Sequence, residues 1–190
     1  YLDDSALSSF YAKQGASVVM LDFLKVDGRQ RSCEWYPDPD GWPETSNPDR
    51  IKLRRMELES QVQWLKGKGF KRIYVSGHSE GGRTVQGLKS EVAGVFIHGM
   101  DCKSARMEFW EPNLKNNIMV FLSSKDPWLG YPKYAVRGCG ALFDGQVRTY
   151  WSSHPTHSPL VEQEWRDAIS RAMKPDLPRS SQKNRPMLEE

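Results

Sequence analysis

Five consecutive residues near the middle of the chain, Gly77-His78-Ser79-Glu80-Gly81, place a serine between two glycines with the spacing Gly-x-Ser-x-Gly. Such spacing suits a sharp strand-to-helix turn that pushes one hydroxyl clear of the backbone. The serine in that turn sits at an awkward backbone angle, so positions where strand and helix nearly touch must lack a side chain. Gly77 and Gly81 are expected to meet that need, with Gly82 relieving it further. The chemistry implied is nucleophilic attack by Ser79 on an acyl carbon.

A serine hydroxyl is a weak nucleophile at its own pKa and needs a base within hydrogen-bond reach and an acid to orient that base. Four histidines are available. His78 lies inside the serine turn, and His98 ends a predicted strand ahead of the acid, which leaves His154 and His157. His157 is preferred because Ser158-Pro159 after it can cap and open a helix, placing it at a loop-to-helix junction. Doubly wound sheets present their sites at the carboxyl ends of strands, and hydrolases on such sheets run Ser, then acid, then His along the chain. Asp126 fits the acid: it follows an apolar run by the short loop Ser123-Ser124-Lys125, and Pro127-Trp128 stops any continuation. Asp101, just past the preceding apolar run, is the alternative.

The elements that must hold these residues can be read from periodicity. Residues 3–14 read as a helix with Leu7, Phe10 and Tyr11 on one side and Gly15 as its stop, and residues 16–21 as a strand buried on both faces. Residues 25–48 are rich in Pro, Asp, Gly and Arg interleaved with Trp35, Tyr36 and Trp42, the pattern of a long irregular loop. Asn47-Pro48 can open a helix whose stripe of Ile51, Leu58, Val62 and Leu65 runs to Gly67 and Gly69. A strand over 71–76 then leads into the serine turn, with Thr84, Val85 and Leu88 spaced for one helical face beyond it. Further strands are predicted at 92–97, 117–122 and 147–151. A last helix, 159–173, carries Leu160, Val161, Trp165, Ala168, Ile169 and Met173 on one face. Strands alternating with helices predict an α/β fold: a doubly wound, mostly parallel sheet with helices on both faces. One domain is expected over residues 1–173, and the Pro-, Ser- and Lys-rich residues 174–190 read as a disordered tail.

Composition narrows the function classes. The 190 residues are 38% hydrophobic and 27% charged, enough for one globular domain with its own core. The net charge of +3 comes from 27 basic and 24 acidic residues intermixed along the chain, so no nucleic-acid footprint is present. No apolar stretch approaches the roughly 20 residues of a membrane span. Cys33, Cys102 and Cys139 are far apart and without metal-ligand spacing, which argues against a zinc site. Their odd number fits reduced thiols in the cytoplasm, with one bridge and one free thiol in an exported protein as the alternative.

The order Gly77-x-Ser79-x-Gly81-Gly82, Ser124-Lys125-Asp126-Pro127, Thr156-His157 resembles the α/β-hydrolase superfamily. Residues 16–33, ASVVMLDFLKVDGRQRSC, resemble its dienelactone-hydrolase-like branch. Dienelactone hydrolases proper carry cysteine at the nucleophile position; Ser79 stands here, as in the serine esterases grouped with them. The resemblance implies an oxyanion hole built from the backbone N–H of Glu80 and a second N–H from a loop before the first helix. Because the first predicted helix follows Tyr1 almost at once, the chain is expected to be an N-terminally truncated piece of that fold. The expected activity is hydrolysis of a small-molecule carboxylic ester or related acyl substrate by Ser79, His157 and Asp126, with no metal or organic cofactor. Trp128, with Trp35, Tyr36 and Trp42, could line an acyl pocket. Two other classes fit the same residues: an acyltransferase or thioesterase variant, and a non-catalytic binding domain.

Overall fold

Four strands, β1 (Tyr74–His78), β2 (Gly94–His98), β3 (Ile118–Ser123) and β4 (Val147–Ser152), pair in parallel in the order β1-β2-β3-β4. In this computed structural model the described residues are 4–21, 48–100, 113–126, 147–155, 160 and 162–174. Among the described residues four helices accompany the strands: α1 (Asp4–Lys13), α2 (Pro48–Gly67), α3 (Glu80–Gln86) and α4 (Gln163–Met173). None of the helices among the described residues is long and apolar enough to cross a membrane.

Successive strand residues point to opposite faces, and the two sets of side chains form two separate cores. Val75, Val95, Ile97, Ile118, Val120, Leu122 and Val147 face one way and pack with Leu58 and Val62 of α2, Val85 of α3 and Leu88. Phe96, Met119 and Phe121 face the other way and pack with Tyr11 of α1 and Trp165, Ala168 and Ile169 of α4. Every residue of β2 and β3 is buried, as continuous Val/Ile/Phe runs covered on both faces must be. On the α1/α4 side the aromatic rings stack across the strands: Tyr74 and Tyr11 on Phe96, and His98 and Tyr150 on Phe121. Burial of a ring such as Phe121 contributes about 1.5–3 kcal/mol, so the α/β sandwich is held from both sides.

Apart from residues 16–21, the elements predicted from periodicity are present with shifted ends. The serine strand starts at Tyr74 and runs on through Gly77 to His78, because its ladder with β2 continues that far. Helix α2 starts at Pro48 and buries Ile51, Leu58 and Val62 as the stripe requires. Gly15 takes a φ of 81°, the left-handed stop expected after α1. The last helix starts at Gln163 with Glu162 as its N-cap, four residues later than Pro159 would have it.

One expectation is overturned. Residues 16–21 form no strand, and Val19 and Met20 are each 57% exposed. Only Ala16 and Leu21 are tucked in, and they touch opposite cores. An apolar run becomes a buried strand only where a ladder partner and two covering layers await it, and β1 pairs with β2 alone among the described residues. The long loop with Trp35, Tyr36 and Trp42, the three cysteines and residues 175–190 lie outside the described residues.

Beneath the sheet's carboxyl edge the Tyr11 hydroxyl donates to Ser76 Oγ at 2.8 Å and lies 3.5 Å from His98 Nε2. His98 is fully buried, and burial, reinforced by the neighbouring His78, lowers its pKa from 6.5 to about 3. Above pH 6.5 folded and unfolded chains both hold this ring neutral; between 6.5 and about 3 only the unfolded chain takes up the proton. Stability therefore falls as pH drops through that window, by at most about 1.4 kcal/mol per pH unit from this one group. His98→Gln should flatten the dependence of the urea midpoint on pH between about 6 and about 4. An unchanged slope would show that His98 does not carry it.

Candidate active site

The strand-to-helix turn at Ser79 has the strained geometry that its sequence requires. Ser79 takes φ 53° and ψ −119°, a conformation that a side chain rarely adopts. Two backbone hydrogen bonds hold it there: Ser79 N–H donates to His98 O at 2.9 Å, carrying the β1–β2 ladder past the strand end, and Arg83 N–H donates to Ser79 O at 3.2 Å, starting α3. Ser79 is the N-cap residue of α3, yet its side chain makes no capping hydrogen bond. Its hydroxyl is thus not spent on the helix that it heads.

The glycines divide unequally. A Cβ on Gly77 would lie 2.2 Å from the carbonyl oxygen of Gly81, so any side chain there forces strand and helix apart. A Cβ on Gly82 would sit 3.0 Å from Met100 Cβ, a tight fit against the second residue beyond β2. Gly81 meets nothing within 4 Å. The steric requirement assigned to Gly77 and Gly81 therefore falls on Gly77 and Gly82, because it is the backbone of Gly81, not its missing side chain, that approaches the strand.

Asp126 has no solvent exposure and lies three residues beyond the end of β3, at the same carboxyl edge as Ser79. One strand, β2, separates the two, which puts the strand axes about 10 Å apart. The loop that carries Asp126 is tied to the loop after β4. Ser124 N–H donates to Ser152 O at 2.8 Å, Ser123 Oγ donates to the His154 carbonyl, and Lys125 N–H donates to Ser123 Oγ at 3.1 Å. Serines at 123, 124 and 152 thereby fix the acid loop against the histidine-bearing loop.

His154 does not turn into this edge. Its side chain is 65% exposed, with Nε2 3.7 Å from Glu162 Oε1, while its backbone N–H donates to Ser152 Oγ. His157, Trp128 and the alternative acid Asp101 lie outside the described residues. Glu80, whose backbone N–H follows the serine, opens α3, and its carboxylate accepts from Arg54 Nη1 at 2.8 Å.

Sequence reading missed two groups near this edge. One is the Tyr11, Ser76 and His98 cluster; the other is Arg54. Their partners lie 65, 87 and 26 residues away in sequence, so no local spacing could announce them. Among the described residues no cluster of three or more His, Cys, Asp or Glu side chains could hold a metal.

By its four parallel strands and two helix layers the chain has an α/β fold, with a serine elbow and a buried aspartate at one edge of the sheet. No protein-family model matches the chain, and no curated protein sequence does. Among solved structures, a point variant of SOBER1 from Arabidopsis thaliana is similar to it at 13% identity, with a TM-score of 0.48 over 66% of this chain and 64% of that one. The chain thus spans a little under two thirds of that structure's length.

The contrast between the glycines is directly measurable. Gly77→Ala should destabilise the protein by several kcal/mol, since its clash is with backbone and cannot be relieved by a rotamer change. Gly81→Ala should stabilise the protein, by up to about 1 kcal/mol of added helix propensity, and so raise its thermal midpoint. Equal effects of the two substitutions would contradict the geometry of the turn.

Proposed function

We propose that the chain is a serine hydrolase of the α/β-hydrolase superfamily, acting on a carboxylic ester or related acyl substrate through an acyl-enzyme. The observation that carries this reading is Ser79 at φ 53°, a strained serine heading a helix that it does not cap, at the same sheet edge as the fully buried Asp126. Backbone strain at a reactive side chain persists only where the surrounding structure imposes it, and three features impose it here: the His98 carbonyl, Gly77 and Gly82.

In the proposed reaction His157 removes the Ser79 proton as Oγ attacks the acyl carbon, and Asp126 holds the imidazole in the donating tautomer. The Glu80 N–H receives the developing oxyanion. His157 then returns the proton to the departing alcohol. In the second half, the same base activates water, which cleaves the Ser79 ester and releases the acid. His157 is favoured over His154 because His154 is exposed and engaged with Glu162. Trp128, two residues beyond Asp126, is proposed to line the acyl pocket, and the serine esterases grouped with dienelactone hydrolases are the proposed branch.

Ser79→Ala should abolish both p-nitrophenyl ester hydrolysis and fluorophosphonate labelling while leaving the thermal midpoint near that of the unmodified protein. Asp126→Asn should lower turnover by orders of magnitude, and His157→Ala should match the serine variant because triad members act as a unit. His154→Ala should cost little. Retained turnover in Ser79→Ala would overturn the reading; a loss in His154→Ala equal to that of the serine variant would move the base to that residue.

A further inference from the structure

Helix α3 is seven residues long, contains Gly81 and Gly82, and begins at a residue whose side chain does not cap it. A helix of that length is unstable by itself, and each interior glycine costs about 1 kcal/mol against alanine. Its placement must be imposed from outside. Two consecutive residues of α2 reach its two ends. Arg54 Nη1 donates to Glu80 Oε1 at 2.8 Å at the first helical residue. Arg55 donates through Nη2 to Arg83 O at 3.2 Å and through Nε to Thr84 O at 3.4 Å, near the last turn. Gly87 leaves the room that Arg55 occupies, since a Cβ there would lie 2.0 Å from its Cζ.

The Arg54–Glu80 contact is the one that bears on the chemistry. The Arg54 and Glu80 side chains are 11% and 28% exposed, so water and salt screen the pair less than they would on an open surface. The Glu80 N–H belongs to the peptide that joins Glu80 to the strained Ser79, and the carbonyl of that peptide accepts from Arg83 N–H at 3.2 Å. The other end of that peptide is the Glu80 Cα, whose side chain is held by Arg54. Resting on the serine-hydrolase reading above, we propose that Arg54 is a positioning residue: through its ion pair it fixes the Glu80 peptide so that the N–H stays aimed at the oxyanion. A small rotation of such a donor matters more in the transition state than in the bound substrate, because charge on the oxygen develops only there.

The test measures p-nitrophenyl acetate turnover of the intact protein, normalised to the number of serines titrated by a fluorophosphonate. Arg54→Met should lower kcat per labelled serine about tenfold to a hundredfold with KM nearly unchanged. Glu80→Gln should do the same, the double variant should lose no more than either alone, and Arg54→Lys should recover part of the loss. If Arg54 only stabilises the fold, Arg54→Met will lower the thermal midpoint and the labelled fraction but leave kcat per labelled serine intact. That result, or additive losses in the double variant, overturns the proposal while the serine reading stands. If the unmodified protein is neither labelled nor active, the serine reading falls and this inference falls with it.

Discussion

The positive φ of Ser79 is the constraint around which the neighbouring structure is arranged. A serine held at 53° would relax if strand, helix or the next strand let it. The His98 carbonyl binds its N–H, the start of α3 binds its carbonyl, and the missing side chains at 77 and 82 allow the close approach of strand to helix and of helix to Met100 beyond β2. Each of those restraints depends on another element: on β2 lying beside β1, on β2 ending at His98, and on α2 pressing α3 onto the sheet. The turn is thus a local motif with non-local causes.

The sheet supplies rigidity from both sides but by different means. On the α2/α3 side the contacts are aliphatic, with Val, Ile and Leu from the strands meeting Leu58, Val62 and Val85. On the α1/α4 side they are largely aromatic, and two polar side chains, Ser76 and His98, are admitted among them because the Tyr11 hydroxyl can serve both. A neutral imidazole stacked 4.9 Å from the Phe121 ring costs less to bury than a charged one. That explains why a histidine can end the central strand β2 directly beneath the serine turn.

Much of this architecture was legible in the residues. The Gly-x-Ser-x-Gly spacing located the elbow, the apolar runs located β2 and β3, and the stripe of Ile51, Leu58 and Val62 located the buried face of α2. These features are local: a turn's glycines, a strand's period and a helix's face are each set within a few residues. The run at 16–21 misled for the same reason. Its composition suits a strand, but composition carries no information about whether a neighbouring strand offers its N–H and C=O groups.

What the sequence determined by itself was the type of every element but the run at 16–21, and the candidate nucleophile, because backbone preference and side-chain period act over short range. Tertiary structure alone decided which glycine is sterically required, which histidine is turned out to Glu162, and that Arg54 meets Glu80. Those outcomes depend on distances between residues far apart in the chain. They are fixed by how helices and strands pack, and packing is a property of the assembled layers.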